Sequence, residues 1–479
     1  MRLAPSPTGD PHVGTGYVAV FNAAFARQRG GQLVLRIEDT DRGRYVERSE
    51  QQIIDTLRWL GIQWDEGPDV GGPYGPYRQS ERLALYQQAA QRLVELGYAY
   101  HCWCTPERLE RMRAEQLSRK QPPGYDRLCD GKTREERARL PGADERSVIR
   151  MRVPLEDVPL TFDDLIRGPT NAPVPDDQVI LKRDGFPTYH LAVVVDDHAM
   201  AITHVLRAEE WISSMPKQLL LYRFFGWEPP KFAHLPLLRN ADRSKISKRK
   251  NPAARLLWFI EEGFLPEALV NFLALQGWSM PDGREIFSFE DLVANFDFER
   301  FSPVGPVFDV NKLDYVNCEH LKELEIEEFL RRIVPFLPGP GQEEGLRILA
   351  PYLSKECRVK RLRQVREQVE FLYVGSLDLD PELLAKQGST SPTAVDALLA
   401  AEAALRHVEP FATDCIDVAL HEVLESREWK PKPLFMPIRV AISGKTQTPP
   451  LMPMLAALGR ERTLHRLRAA IDLLAPGVA

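Results

Sequence analysis

Ala4-Pro-Ser-Pro-Thr-Gly-Asp-Pro-His-Val-Gly-Thr15 is the stretch on which the reading of the fold turns. It lies between a short apolar lead-in, Leu3-Ala4, and a run of helical spacing from Tyr17 to Arg29, so it reads as a strand-to-helix turn held tight by proline and glycine. Such a turn exposes a helix N-terminus, where unpaired backbone N–H groups and the positive end of the dipole favour a phosphate. Gly14 has no side chain and would let a flat ring reach the backbone, while His12 and Thr8 could add donors. Taken alone the segment is only suggestive, because a histidine near a helix start is more often an ordinary capping or surface residue.

Outward from this turn the chain alternates. Gln32 to Ile37 is a β-type run, and a second helix is expected from Ser49, with Gln52 three residues on as a capping box. That helix carries Ile53, Ile54, Leu57 and Leu60 on one face and stops at Gly61. Strand, helix, strand, helix predicts a parallel sheet with right-handed crossovers. From about Tyr100 to Phe186 the pattern weakens into an insertion, with Cys102 and Cys104, a charged stretch from Pro106 to Arg119, a Pro122-Pro123-Gly124 loop and strand-like Val148 to Val153. The α/β signal then returns. Tyr189 to Val195 reads as a strand, Ile202 to Leu206 as another, and Met215 to Phe225 as a helix closed by Gly226.

Beyond Pro252 no strands are expected. Pro266 opens an apolar helix with Leu269, Phe272 and Leu273, closed by Gly277. Pro338 to Gly341 reads as a linker, followed by helical spacing over 342–479 with breaks near Gly388 to Pro392 and Lys430 to Pro437. With 479 residues the chain is too long for one compact core. Its net charge of −6 means that any nucleic-acid site must be a local basic face. No apolar run reaches the roughly 18 residues of a membrane span, and no leader is seen at Met1, so membrane spanning and export are disfavoured. The six cysteines then read as reduced thiols or metal ligands rather than a disulfide frame.

A second segment, Ser244-Lys245-Ile-Ser247-Lys248-Arg249-Lys250, is by itself a solvated basic loop. Its functional reading is a mobile loop whose lysines neutralise charge on a leaving pyrophosphate. Together, His12-Val-Gly-Thr15 and Lys245-Ile-Ser-Lys-Arg249 resemble the HIGH and KMSKS signatures of class I aminoacyl-tRNA synthetases, with departures from the first at Val13 and Thr15. Arg36-Ile-Glu-Asp-Thr-Asp41, Tyr74-Gly-Pro-Tyr-Arg-Gln-Ser-Glu-Arg82, Asp184 to Ala192, Leu206-Arg-Ala-Glu-Glu-Trp211 and Met280-Pro-Asp-Gly-Arg284 are similar to the bacterial glutamyl-tRNA synthetases. The resemblance is dense through residue 320.

That resemblance implies a Rossmann-type parallel-sheet catalytic domain (halves 1–99 and 188–240) interrupted by an acceptor-stem-binding α/β insertion (100–187). A KMSKS-loop and helical stem-contact region (241–320) and an all-α anticodon-binding region (321–479) follow. It implies ATP with Mg²⁺, glutamate and tRNA(Glu) as substrates, held by a cytoplasmic monomer. Pro11, His12, Gly14, Thr15, Lys245, Ser247 and Lys248 would bind ATP, with His12, Thr8, Lys245 and Lys248 acting in catalysis. Arg2 would read the side-chain carboxylate of glutamate, as a guanidinium must to separate it from glutamine. Tyr189 would add a hydroxyl, Arg207 shape the same pocket, and Ser6 and Glu38 hold the amino-acid end. A plain surface salt bridge is the competing reading for Glu38, and a structural pair with Glu209 or Glu210 for Arg207. Val193 stands where many relatives carry Asn, which removes one polar contact or gives it to water.

Some relatives hold zinc at a Cys-x-Cys with a later Cys and a Tyr or His. Cys102, Cys104, Cys129 and Tyr125 are the matching set, since Gly131 excludes a Cys-x-His ending; three reduced, partly buried thiols are the alternative. In the tail, Lys355, Arg358, Lys360, Arg361, Arg363 and Arg366 make either a solvated helix face or a phosphate and anticodon site, with Arg358 matched to a reader of the third anticodon base. A glutaminyl enzyme is disfavoured by the helical tail. The short relative that glutamylates a tRNA base is disfavoured by the roughly 160 residues past Asn317, and a catalytically dead homologue by the retention of both signatures.

Overall fold

The computed structural model describes residues 1–154, 160–386 and 392–474. The first part of the chain runs β1 (Arg2–Leu3), α1 (Val13–Gln28), β2 (Val34–Leu35), α2 (Ser49–Trp59), α3 (Leu83–Glu95), β3 (Ala99–Cys104), α4 (Pro106–Ser118) and α5 (Arg134–Ala138). Then come β4 (Ala143–Met151), β5 (Leu160–Asp164), β6 (Gly168–Ala172), β7 (Val179–Leu181), α6 (Tyr189–Ala199), β8 (His204–Ala208), α7 (Met215–Phe225) and β9 (Lys231–Leu235). From there the described elements are helical: α8 (Leu256–Glu262), α9 (Pro266–Ala274), α10 (Phe289–Asn295), α11 (Val310–Glu323), α12 (Ile326–Ile333), α13 (Glu343–Ser354) and α14 (Val365–Val369). The last six are α15 (Pro381–Lys386), α16 (Ala394–Leu405), α17 (Thr413–Arg427), α18 (Pro431–Ser443), α19 (Leu451–Leu458) and α20 (Arg460–Leu474).

The chain divides into two compact units, one of 1–258 with 269–310 and one of 259–268 with 311–479. In the first, β1 pairs in parallel with β2, and β8 with β9, as the alternating pattern requires. The β5–β6 hairpin joins β9 through a parallel β5 contact, while β3, β4 and β7 form a separate antiparallel sheet. In the second unit α16 packs against α17, α18 and α20 around buried Leu398, Leu405, Leu420, Leu434 and Leu467.

Several expectations are corrected. Tyr189 to Val195 is helix, not strand: Leu191 to Val195 are all buried where α6 meets α3 and α7, and a helix buried all round shows no polar face. The Ser49 capping box does not form. The Ser49 hydroxyl instead donates to the Gly9 carbonyl at 2.7 Å and accepts from the Gly9 N–H, tying α2 to the opening turn. Cys318 and Cys357, 39 residues apart, are brought side by side with their Cα atoms 5.8 Å apart, because the fold sets α11 beside the turn after α13. Pro437 lies inside α18, so the second tail break is confined to the residues between α17 and Pro431 at the start of α18. The break near Gly388 falls at 387–391, outside the described residues.

Candidate active site

The carboxyl ends of parallel strands β1, β8 and β9 open on a cavity of about 330 Å³, the place where open α/β sheets take ligands. Arg2, Ser6, His12, Gly14, Thr15, Glu38, Tyr189, Arg207 and Lys245 all line it, together with Trp211 and Glu210. Thr8, Pro11, Ser247 and Lys248 do not. Thr8 is exposed and turns back to the Ser6 carbonyl through its N–H, and the Pro11 carbonyl accepts from the Leu256 N–H at 3.0 Å.

His12 caps α1. Its Nδ1 accepts from the Gly14 N–H at 2.9 Å, and a Cβ on Gly14 would sit 3.0 Å from that nitrogen, so glycine lets the imidazole lie against the helix start. Burial pushes the His12 imidazole down, and Lys248 adds to this, which keeps the ring neutral and its second nitrogen free of the cap. The basic loop reaches this end of the cavity. Lys245 pairs with Glu210, and Lys248 donates to the Asp10 carbonyl just before the helix, where Asp10 also takes Arg255 Nε at 2.7 Å. Ser247 is a turn residue whose carbonyl accepts from the Lys250 and Asn251 N–H groups at 3.1 Å.

At the other end sits a buried network that the sequence did not reveal. Asp197, near the end of α6, accepts from Arg2 Nε at 3.3 Å and Arg36 Nη1 at 2.7 Å, and Arg36 Nη2 donates to Glu38 at 3.1 Å. Burial opposes ionisation of Asp197, yet Arg2 and Arg36 hold it below the usual carboxylate range, while burial pushes Glu38 up against the pull of the same two arginines. Asp196 receives Arg82 Nε, Gln79 Nε2 and the Tyr86 hydroxyl, each at 2.8 Å. It is the helical α6 that turns both aspartates inward.

Arg207 is buried and has no carboxylate within ion-pair distance among the described residues. It donates to His234 Nε2 at 3.1 Å, the Tyr189 hydroxyl at 3.3 Å, and Met215 Sδ and Gln218 Oε1 at 2.9 Å. The salt bridge to Glu209 or Glu210 is therefore absent: Glu209 takes Arg167 and Glu210 takes Lys245. Burial pushes the Tyr189 phenol up, so its hydroxyl stays protonated, and its ring lies 4.4 Å from that of Trp211. Val193 is buried in the core and is not part of the cavity lining.

In the insertion, the sulfurs of buried Cys102, Cys104 and Cys129 lie within 4.8 Å of one another. The Tyr125 hydroxyl is 3.2 Å from Cys102 Sγ and 3.4 Å from Cys104 Sγ. Three thiolates converging with one oxygen suit Zn²⁺, whose bonds of about 2.0–2.3 Å need ligands this close. Arg108 and Arg137 each reach Cys104 Sγ at 3.6 Å, and the Arg150 guanidinium lies 4.0 Å over the Tyr125 ring, cations that offset an anionic ligand set.

The tail cluster is not one helix face. Lys355 caps the Lys322 and Leu324 carbonyls at 2.6 Å, and Arg361 binds Asp314 at 2.8 Å and Glu262 at 3.0 Å, so these two hold the fold. Arg363 also binds Glu262 at 3.0 Å, and Arg358 stays half exposed with Glu356 at 3.3 Å.

This arrangement defines a class I aminoacyl-tRNA synthetase site, with ATP binding implied by the class. The family model for the catalytic domain of class I tRNA synthetases (E and Q) matches residues 1–315, and that for an anticodon binding domain matches 328–471. The chain is 57% identical to a glutamate–tRNA ligase of Acidothermus cellulolyticus, over 100% of this chain and 96% of that one. It is 50% identical to one of Cutibacterium acnes, over 98% and 96%. A crystal structure of a glutamate tRNA ligase from Elizabethkingia meningosepticum, in complex with its amino acid, superposes with a TM-score of 0.87 at 31% identity, covering 99% of both chains. The chain belongs to the glutamate–tRNA ligase family. No helix of the described residues is long and apolar enough to cross a membrane.

Proposed function

We infer that the chain joins glutamate to tRNA(Glu) at the expense of ATP. The observation that carries this reading is one cavity holding His12 and Lys245 at one end and Arg2, Tyr189 and Arg207 at the other. A glutamate α-carboxylate oxygen attacks the α-phosphorus of ATP, which enters as its Mg²⁺ complex. The bond to the bridging oxygen breaks, pyrophosphate leaves, and glutamyl-adenylate remains. The 2′-hydroxyl of the terminal tRNA adenosine then attacks the acyl carbon, loses its proton and releases AMP. No protein nucleophile is needed, so the protein positions the reactants and stabilises charge.

Arg2 has only its Nε taken by a described partner and offers its terminal nitrogens to the side-chain carboxylate, beside the Tyr189 hydroxyl and the Arg207 charge. Glu38 pairs with the substrate ammonium, which would supply counter-charge to a carboxylate that burial disfavours, and Ser6 lies at the same mouth. Pro11, His12, Gly14 and Thr15 form the ATP turn, with Thr8 at its exposed edge. Lys245, Ser247 and Lys248 close on the leaving pyrophosphate once Lys245 exchanges Glu210 for phosphate. Cys102, Cys104, Tyr125 and Cys129 would hold one structural zinc, which would add folding free energy to the insertion and take no part in the reaction.

The working division is 1–99 and 188–240 for the catalytic halves, 100–187 for the acceptor-stem insertion, whose β5–β6 hairpin extends the β8–β9 sheet, 241–320 for the loop and stem contact, and 321–479 for the anticodon. Arg358 is the proposed reader of the third anticodon base, and the enzyme acts as a cytoplasmic monomer. ATP–pyrophosphate exchange with glutamate, glutamine or no amino acid, each with and without tRNA(Glu), tests the reading. Exchange that depends on glutamate supports it; exchange with glutamine alone overturns it.

A further inference from the structure

The charge on Arg207 is unusual in what surrounds it. Arg2 and Arg36 are held by carboxylates, whereas the described hydrogen-bond partners of Arg207 are all neutral acceptors. A buried guanidinium without a counter-ion is costly, and burial indeed makes its proton easier to lose. The arrangement behind it is specific. His234 on β9 is fully buried, and its Nδ1 lies 2.5 Å from Asp164 Oδ2, with Asp164 at the end of β5 equally buried. Asp164 is itself fixed, because its other carboxylate oxygen accepts from the Ile166 and Arg167 N–H groups at 3.0 Å. A carboxylate at Nδ1 puts the ring proton there, which leaves Nε2 as the acceptor that Arg207 Nε requires. Burial keeps the ring neutral, and Arg207 adds to this. Gln218, buried on α7, meets Arg207 Nη2 with an amide oxygen and has no described partner for its own Nε2. A glutamate there would fit the same space and would neutralise the arginine.

We propose that Asp164, His234 and Gln218 are positioning residues that aim Arg207 while leaving its positive charge uncompensated until a carboxylate of glutamate arrives. His234 acts as a spacer: it passes the orientation imposed by Asp164 to Arg207 without passing on the negative charge. The proposal rests on the reading that Arg207 faces glutamate, and the test separates the two. In exchange assays on the full chain with tRNA(Glu) present, glutamate and ATP are varied for four variants. His234→Asn removes the acceptor and should raise the glutamate KM roughly 10–100-fold, with the ATP KM and kcat within about twofold. His234→Gln returns an oxygen near the Nε2 position and should recover most of the loss. Gln218→Glu keeps size and adds a counter-ion, so it should raise the glutamate KM while leaving the melting temperature unchanged or higher. Arg207→Met is the reference. If Arg207→Met leaves the glutamate KM unchanged, the pocket reading itself fails. If Arg207→Met raises it but Gln218→Glu does not, the positioning proposal fails, and this arm decides even where His234→Asn does not fold. Equal losses for glutamate and ATP in the His234 variants would mark a structural role and also overturn it.

Discussion

Arg2 gives its Nε to Asp197, and Asp197 keeps Arg36 as a second partner, so removing Arg2 does not strand a bare buried carboxylate in the protein. What loses its direct partner in Arg2→Ala is the substrate's own carboxylate, which keeps only Tyr189 and Arg207 beside it. The variant should lose about 3–5 kcal/mol of transition-state binding for glutamate and much less for glutamine. Comparing kcat/KM for the two amino acids checks this, and equal losses would make Arg2 a structural residue. Lys248 gives the cleaner separation of folding from chemistry. Its described hydrogen bond is to the Asp10 carbonyl at an exposed position, so Lys248→Ala should lower the adenylation rate about 10²–10³-fold at an unchanged melting temperature. Near-normal exchange in the folded variant would remove the loop from the mechanism. These residues were legible because they lie in or beside segments that resemble a known family. Asp164, Asp196, Asp197, His234 and Gln218 lie in none of those segments, and each matters through a partner more than ten residues away.

Among the elements, the helices with a one-sided apolar face could be read from spacing: α2 buries Ile53, Ile54 and Leu57, and α7 ends at Gly226 in the left-handed conformation that glycine favours. The α6 segment could not be read this way. Three consecutive valines favour a strand by local preference, and only packing on every side reverses it, each buried valine contributing roughly 1.5–3 kcal/mol. Val194→Asp should therefore unfold the first unit, with loss of its cooperative melting transition as the measurement; a folded, active variant would show that α6 is not the core helix described. The insertion offers a second prediction at this scale. Protein purified without chelator should carry about one zinc per chain, and removing it should expose Cys102, Cys104 and Cys129 to thiol reagents together. Full activity in a metal-free preparation whose three thiols react freely would dismiss the site.

For the molecule as a whole, an acidic protein that binds tRNA must place its contacts locally, and the described tail contacts narrow the candidates, since Lys355 and Arg361 are occupied within the fold. Arg358→Ala should cost roughly 1–3 kcal/mol against cognate tRNA and blunt discrimination at the third anticodon base. Charging of transcripts that differ only at that base is the measurement. A uniform weakening, with a salt slope smaller by about one, would make Arg358 a phosphate contact instead. The ion pair between Arg36 and Asp197, 161 residues apart, has a further meaning for synthesis. At a ribosomal pace of about 5–20 residues per second, the N-terminal arginines wait roughly 8–30 s for the aspartates of α6 to be made. For that interval the nascent first strand and its neighbours cannot settle as a closed core without burying unanswered charge. A chain truncated before Asp196 would lack the Asp197 carboxylate that Arg2 and Arg36 share, and its first strand could close into a core only by burying their charge without it.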